Sequence, residues 1–446
     1  MAGFEVAYLP IGVPTFDLES AGNEFEKTKC LLKRITDCVK APDEMLLTMD
    51  KLSAFLDQIN PDFIVLQNVT FANAAYAGEV AKRFSCPIAL WTLPEPVIDG
   101  ARLRLNSLTG AYSAANMFRH MGVQYFTYIL GSPQEEQVQS TLASAINAAK
   151  VLWQMRGIKI ATVGHTPDGF GFGRALDAEL LKNFRVALQT AEVRELEQKA
   201  REFSDSDVEE YMKSAEQRIC GLDLIPEENR LDFARLYRAY QEFVQEHKIA
   251  ALSSRCWPDF FVSYGTPVCA VLGLLNDLGV AAACEADTYG ALSMYIGQQL
   301  SGEPVFFGDP VSVNQRENTI TYWHCGTAAC SLAREDTKAV AGVHCNRKIG
   351  PTLEFGCRAC RHVTVFRIGR KPDGKFRFFI SEGEALDKPQ QFYGTSVVVR
   401  LKSQAEQVIA DSVQAGFEPH FCVIYGDCAQ ALEILGGMLG MEVCKF

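Results

Sequence analysis

Short apolar runs separated by amphipathic stretches recur along most of this 446-residue chain, and no other feature narrows its fold as much. Residues 4–9, 63–67, 87–91 and 125–130 read as strands, and 18–39, 72–84, 107–121 and 133–153 as helices. Strands joined by helical crossovers pair in parallel, so the alternation predicts a parallel sheet with covering helices. A second series follows, with strands at 158–163, 249–253, 280–284, 305–307 and 319–323 and charged helices between 192 and 248. From about residue 339 the texture changes. Residues 363–368 and 376–381 flank Lys371-Pro372-Asp373-Gly374-Lys375, which reads as a hairpin with an Asp-Gly turn; strands at 396–401 and 421–425 and a helix at 428–439 close the chain. The expected fold is two Rossmann-like parallel-sheet α/β domains, residues 1–156 and 157–335, followed by a C-terminal β-rich (α+β) domain, 336–446.

Composition excludes several functions. With 43 basic against 54 acidic residues the formal charge is −11, which argues against nucleic acid or an anionic membrane as partner. The start lacks the basic flank and apolar run of a signal peptide, and no transmembrane run follows. Fifteen cysteines, an odd number at irregular spacings, fit reduced thiols and a cytoplasmic location. The Gly-rich loop from Gly164 to Gly173 lacks the Lys-Ser/Thr ending of a phosphate-binding loop, so no nucleotide cofactor is expected. Cys357 and Cys360 form a lone Cys-x-x-Cys without a second pair, a weak zinc signal beside the default of reduced, buried thiols.

Three polar residues directly follow expected strands of the second series: Glu285, Asp309 and His324. The carboxyl ends of strands in an open α/β sheet face the ligand crevice, so three strands of one sheet would aim these side chains into a common space. Two carboxylates and an imidazole there suit a hard divalent cation such as Mn²⁺ or Mg²⁺. The structural alternative is a helix cap, a role that Asp287 could fill by itself. Trp91 and Trp257 could stack on a substrate or fill cores. Arg102, Arg104 and Arg255 stand beside apparent loops and could anchor substrate hydroxyls or an anionic group, or lie solvated or salt-bridged.

The segments Cys284-Glu285-Ala286-Asp287-Thr288-Tyr289-Gly290, Glu303-Pro304-Val305-Phe306-Phe307-Gly308-Asp309 and Trp323-His324-Cys325-Gly326 resemble the metal-site region of the L-fucose isomerase and L-arabinose isomerase superfamily. Pro14-Thr15-Phe16-Asp17, Leu90-Trp91-Thr92-Leu93-Pro94-Glu95, Cys256-Trp257-Pro258-Asp259-Phe260 and Gly416-Phe417-Glu418-Pro419-His420-Phe421 are similar to segments of its short, fucose-isomerase-like branch. The matches run in order along nearly the whole chain. The resemblance implies that Glu285 and Asp309, 24 residues apart, are acidic metal ligands and the acid/base pair, with His420 as the histidine ligand brought from the C-terminal domain. His324 sits where the arabinose branch places another ligand. Only Pro419 precedes His420, where many relatives have paired histidines.

The implied activity is a metal-dependent aldose–ketose isomerisation, with Mn²⁺ preferred and Mg²⁺ or Co²⁺ as substitutes, moving a proton between C1 and C2 through a cis-enediol(ate). The implied substrate is a fucose- or arabinose-type sugar or a modified hexose such as sulfoquinovose, a 6-sulfonated glucose. The resemblance also implies a homo-oligomer, trimer or hexamer, with the site near a subunit interface. A non-catalytic sugar-binding or regulatory protein on the same fold is the alternative from another class, and an aldolase- or hydrolase-type metal enzyme is a third reading.

Overall fold

The computed structural model describes residues 3–446; Met1 and Ala2, the start of the first expected domain, lie outside the described residues. The chain divides into two compact units: residues up to Trp153 with Gln430–Gly440, and Gln154–Ala429 with Met441–Phe446.

In the first unit five parallel strands lie in the order Val39–Lys40, Val6–Ile11, Phe63–Asn68, Ile88–Thr92, Thr127–Leu130. The three central strands are buried along their whole length, as sheets covered on both faces require. Helix Leu18–Ile35 buries Ala21, Phe25, Thr28, Leu31 and Leu32, a stripe at three- and four-residue spacing, and starts where the Asp17 carboxylate accepts the backbone N–H groups of Glu19 and Ser20.

The second unit holds two sheets. Four parallel strands lie in the order Ala281–Cys284, Ile249–Ser254, Lys159–Val163, Ala187–Ala191. Ten strands form a predominantly antiparallel, β-rich sheet, with the stretch Phe421–Tyr425, Phe306–Asn314, Thr319–His324 and Thr395–Leu401 near its middle. Helix Thr288–Ser301 packs on Ala281–Cys284 and Ile249–Ser254 on one side and on Cys360–Arg370 and Phe421–Tyr425 on the other. It contains no charged residue and is buried at every position from Thr288 to Gly297. A helix apolar all round belongs in an interior, and here it lies between two sheets.

One sequence expectation is corrected. The strands bearing Asp309 and His324 do not share a sheet with the strand before Glu285: Phe306–Asn314 and Thr319–His324 pair antiparallel in the large sheet. The connection between them is four residues long, with the Asn314 side chain accepting from the backbone of Arg316 and Glu317, and such a link cannot make a parallel crossover. The large sheet draws strands from both sides of residue 335. Strands on both sides of that position, Thr319–His324 and Thr395–Leu401, are ladder partners. Among the described residues no helix is long and apolar enough to cross a membrane, and no disulfide joins the cysteines.

Candidate active site at the start of the buried helix

The parallel strand Ala281–Cys284 must turn sharply to enter the buried helix. Glu285 and Ala286 do this in the left-handed region, with φ of 61° and 54°, which costs roughly 1–3 kcal/mol per non-glycine residue. The turn leaves the Glu285 carboxylate 15% exposed and sets Asp287, 1% exposed, at the helix start, where it accepts the Gly290 backbone N–H at 2.8 Å. Close packing fixes two glycines. A Cβ on Gly290 would lie 2.5 Å from Phe307, and one on Gly173 would lie 2.8 Å from the Asp287 backbone.

Three adjacent strands of the large sheet supply the remaining groups. Gly308 pairs with Phe421 and Asp309 with Trp323, so the register brings His420, Asp309 and His324 to neighbouring positions at one edge of the ladder. His420 is the hub. Its Nδ1–H donates to Asp287 Oδ2 at 2.8 Å; its Nε2 lies 3.0 Å from Glu285 Oε2 and 3.5 Å from Asp309 Oδ1. Ligand atoms of Glu285, His324 and His420 all lie within 4.8 Å of one another. Metal–ligand bonds of about 2.0–2.6 Å place ligand atoms at such separations, so these three groups fit one cation, with Asp309 at the side of His420.

Asp287 is also clamped by Arg367, fully buried, through Nη1 to Oδ2 at 2.6 Å and Nη2 to Oδ1 at 3.1 Å. Burial alone would raise the Asp287 carboxyl; the Arg367 charge and the His420 hydrogen bond overturn this and hold it far below the usual range. Burial likewise opposes ionisation of Glu285, yet His420, His324 and the Trp257 N–H leave it lowered. At Asp309 burial wins over the same imidazoles and the carboxyl is raised. Burial works against the His420 imidazolium, but hydrogen bonds to Asp287 and Glu285 push its pKa up to about 9.

Aromatic rings wall the cluster. Phe172 and Phe307 approach the His420 ring with centroids 5.3 and 4.8 Å away, and Phe170, from the Gly-rich loop, meets Trp257 edge-on at 5.9 Å. Trp257 belongs to the site itself, its indole N–H donating to Glu285 Oε1 at 2.8 Å. Arg255 is engaged structurally: it ion-pairs with Asp259, contacts His165, and donates to the Trp257 carbonyl at 3.3 Å. Trp91 is fully buried in the first unit with its N–H given to the Gly131 carbonyl at 2.9 Å. Arg104 pairs with Asp99, and Arg102 donates to the Thr15 carbonyl. Cys357 is buried, Cys360 donates to the His362 carbonyl, and neither joins a cluster of three metal-ligating side chains among the described residues.

Sequence reading missed the second role of Asp287 and missed Arg367, Phe172 and Phe307. Only Arg367 left a signal, a lone guanidinium inside the apolar run Val363-Thr364-Val365-Phe366-Arg367-Ile368.

Two sheets, a helix buried between them and a carboxylate–imidazole cluster at its start define an enzyme of the mixed α/β class. No family model matches the chain. Curated relatives do: it is 59% identical over 442 residues to the sulfoquinovose isomerase of a Clostridium species (strain MSTE9), and 36% identical over 446 and 448 residues to those of Priestia megaterium and Alkalicoccus urumqiensis, with 99% of each chain covered in all three. The enzyme is an isomerase. The chain belongs to the sulfoquinovose isomerase family.

Proposed function

We propose that this enzyme interconverts sulfoquinovose and its 2-ketose by proton transfer between C1 and C2 at a single divalent-cation site, with Mn²⁺ preferred. The observation behind the reading is the convergence of Glu285, His324 and His420 within 4.8 Å, with Asp309 Oδ1 3.5 Å from His420 Nε2, in a chain whose full-length relatives bear that substrate's name. Glu285, Asp309 and His420 would hold the cation, with His324 as a further donor. When bound, the cation polarises the sugar carbonyl as a Lewis acid.

The chain's own groups move the protons. Glu285, held ionised by its neighbours, accepts the proton from C2 of the aldose and returns it at C1. Asp309 accepts the proton from O2 of the aldose and delivers it to O1. Phe172 and Phe307 pack against the His420 ring and Trp257 holds one oxygen of Glu285, which fixes these groups beside the substrate. A cytoplasmic homo-oligomer is part of the same reading, from the family resemblance.

Turnover of sulfoquinovose in D₂O after chelator treatment and Mn²⁺ addition tests this. Chelator-sensitive isomerisation with solvent deuterium at C2 of the recovered aldose is expected. Complete retention of the original hydrogen would point to a hydride shift and overturn the carboxylate roles, and activity indifferent to chelation would remove the metal.

A further inference from the structure

Sulfoquinovose is anionic at every working pH, and this chain carries a formal charge of −11. The long-range field therefore disfavours the substrate, and a local cation must receive the sulfonate. Three arginines lie within contact of the site's own residues. Arg367 is fully buried and committed to Asp287 through both Nη atoms. Arg255 is committed to Asp259 and to the backbone of Trp257. Arg347 differs. It forms no ion pair among the described residues, it is half-buried, and its guanidinium lies over the Trp257 ring at 5.0 Å and the Phe261 ring at 5.3 Å.

Trp257 is the link between this cation and the reacting end, because its indole N–H is hydrogen-bonded to Glu285 Oε1 at 2.8 Å. One rigid side chain thus spaces an unpaired guanidinium from a catalytic carboxylate. In an open-chain hexose C6 lies five carbon–carbon bonds from C1, so the sulfonate must be met at the far end of the substrate from the reacting carbons, on the other side of Trp257 from Glu285 in this reading. Stacking also suits the task. A guanidinium lying on aromatic faces keeps its N–H edge free in its own plane, where it can meet two sulfonate oxygens at once. Lacking a carboxylate partner, it has its hydrogen bonds available for a ligand.

We infer that Arg347, presented by Trp257 and Phe261, is the residue that recognises the C6 sulfonate and sets the preference for a sulfonated over a neutral hexose. This rests on the proposed isomerase reading, and deepens it.

The test compares wild type, Arg347→Gln and Arg347→Lys, all loaded with Mn²⁺. Kinetics are followed on sulfoquinovose and on glucose, and calorimetry measures binding of the unreactive polyol 6-deoxy-6-sulfoglucitol against glucitol. Arg347→Gln should lower kcat/KM for sulfoquinovose about 10- to 100-fold, mostly through KM, as loss of a charged hydrogen-bond donor does, and should weaken the sulfonated polyol equally. Glucose turnover and glucitol binding should stay within about threefold, and Arg347→Lys should restore part of the loss. Equal losses for sulfonated and neutral ligands would mark a packing role and overturn the assignment, as would an Arg347→Gln enzyme that handles sulfoquinovose like wild type. If wild type binds the sulfonated polyol through Arg347 yet never isomerises sulfoquinovose, the proposed reaction fails and the binding role stands. If wild type does neither, both are overturned.

Discussion

Asp287 Oδ2 accepts a hydrogen bond from His420 Nδ1 at 2.8 Å while the same carboxylate grips Arg367, and all three side chains are at most 1% exposed. Asp287 therefore joins the helix start to the imidazole of the site. Its carboxylate orients that ring as the outer partner of a metal-bound histidine does and leaves Nε2 facing Glu285 and Asp309.

Asp287→Asn should separate charge from capping, because asparagine caps a helix about as well as aspartate. What is lost is the counter-charge of a fully buried guanidinium. Breaking such a pair costs about 3–5 kcal/mol, and outer-shell loss weakens metal binding by roughly 10- to 100-fold. Thermal melts in chelator and Mn²⁺ titrations check both. Unchanged stability would show that the Arg367–Asp287 contact contributes little, and unchanged affinity that His420 needs no orienting partner.

A pH dependence follows from His420. Its pKa is raised from an ordinary 6.5 to about 9, so its stabilising charge is fully present below about 6.5 and is lost as pH rises through 9. Asp287, held far below the usual carboxylate range, stays ionised throughout. Metal-free protein should lose melting temperature between pH 6.5 and 9. Over the same interval apparent Mn²⁺ affinity should climb with pH, because the ion displaces the proton from His420 Nε2. Calorimetry in buffers of different ionisation enthalpy counts that proton. Affinity that is flat from pH 6.5 to 9 contradicts it.

Much of the fold is legible in period and punctuation. The strand Phe421–Tyr425 falls where its apolar run does, and the Asp-Gly turn at Asp373-Gly374 does connect two ladder partners, Cys360–Arg370 and Phe376–Ala385. The site is half legible. Glu285, Asp309 and His420 stand out as polar residues at strand edges and within matching motifs, and the structure brings all three together. Which sheet each strand joins is not legible, because 280–284, 305–307 and 319–323 are equally short and apolar and only the four-residue link before Thr319 betrays antiparallel pairing. Nor is the second role of Asp287, since one carboxylate can cap a helix, pair with an arginine and orient an imidazole without any change in local pattern. Long-range partners such as Arg367, 80 residues away in sequence, leave no periodic trace.

The two carboxylates should fail differently when made neutral. Glu285→Gln keeps an oxygen for the Trp257 N–H and so keeps the local packing, but it removes the group assigned to C2–H. Both turnover and deuterium wash-in should fall by about 10²–10⁴. Asp309→Asn should slow net isomerisation by a similar factor while wash-in at C2 persists, because abstraction from carbon no longer depends on it. Nuclear magnetic resonance of recovered sugar in D₂O separates the cases, and the opposite pattern reverses the assignment.

Trp257→Phe gives a finer probe, since it keeps the ring that meets Phe170 and removes only the N–H bonded to Glu285. That hydrogen bond is among the causes that lower the Glu285 carboxyl, so its loss moves the pKa upward. The carboxylate must be ionised to accept a proton from C2, so the acid limb of kcat/KM should shift to higher pH, with activity on the plateau reduced less than on the acid limb. A loss of activity equal at every pH would mean that Trp257 acts by filling space alone. A shift toward lower pH would contradict the direction of the hydrogen bond's effect on Glu285.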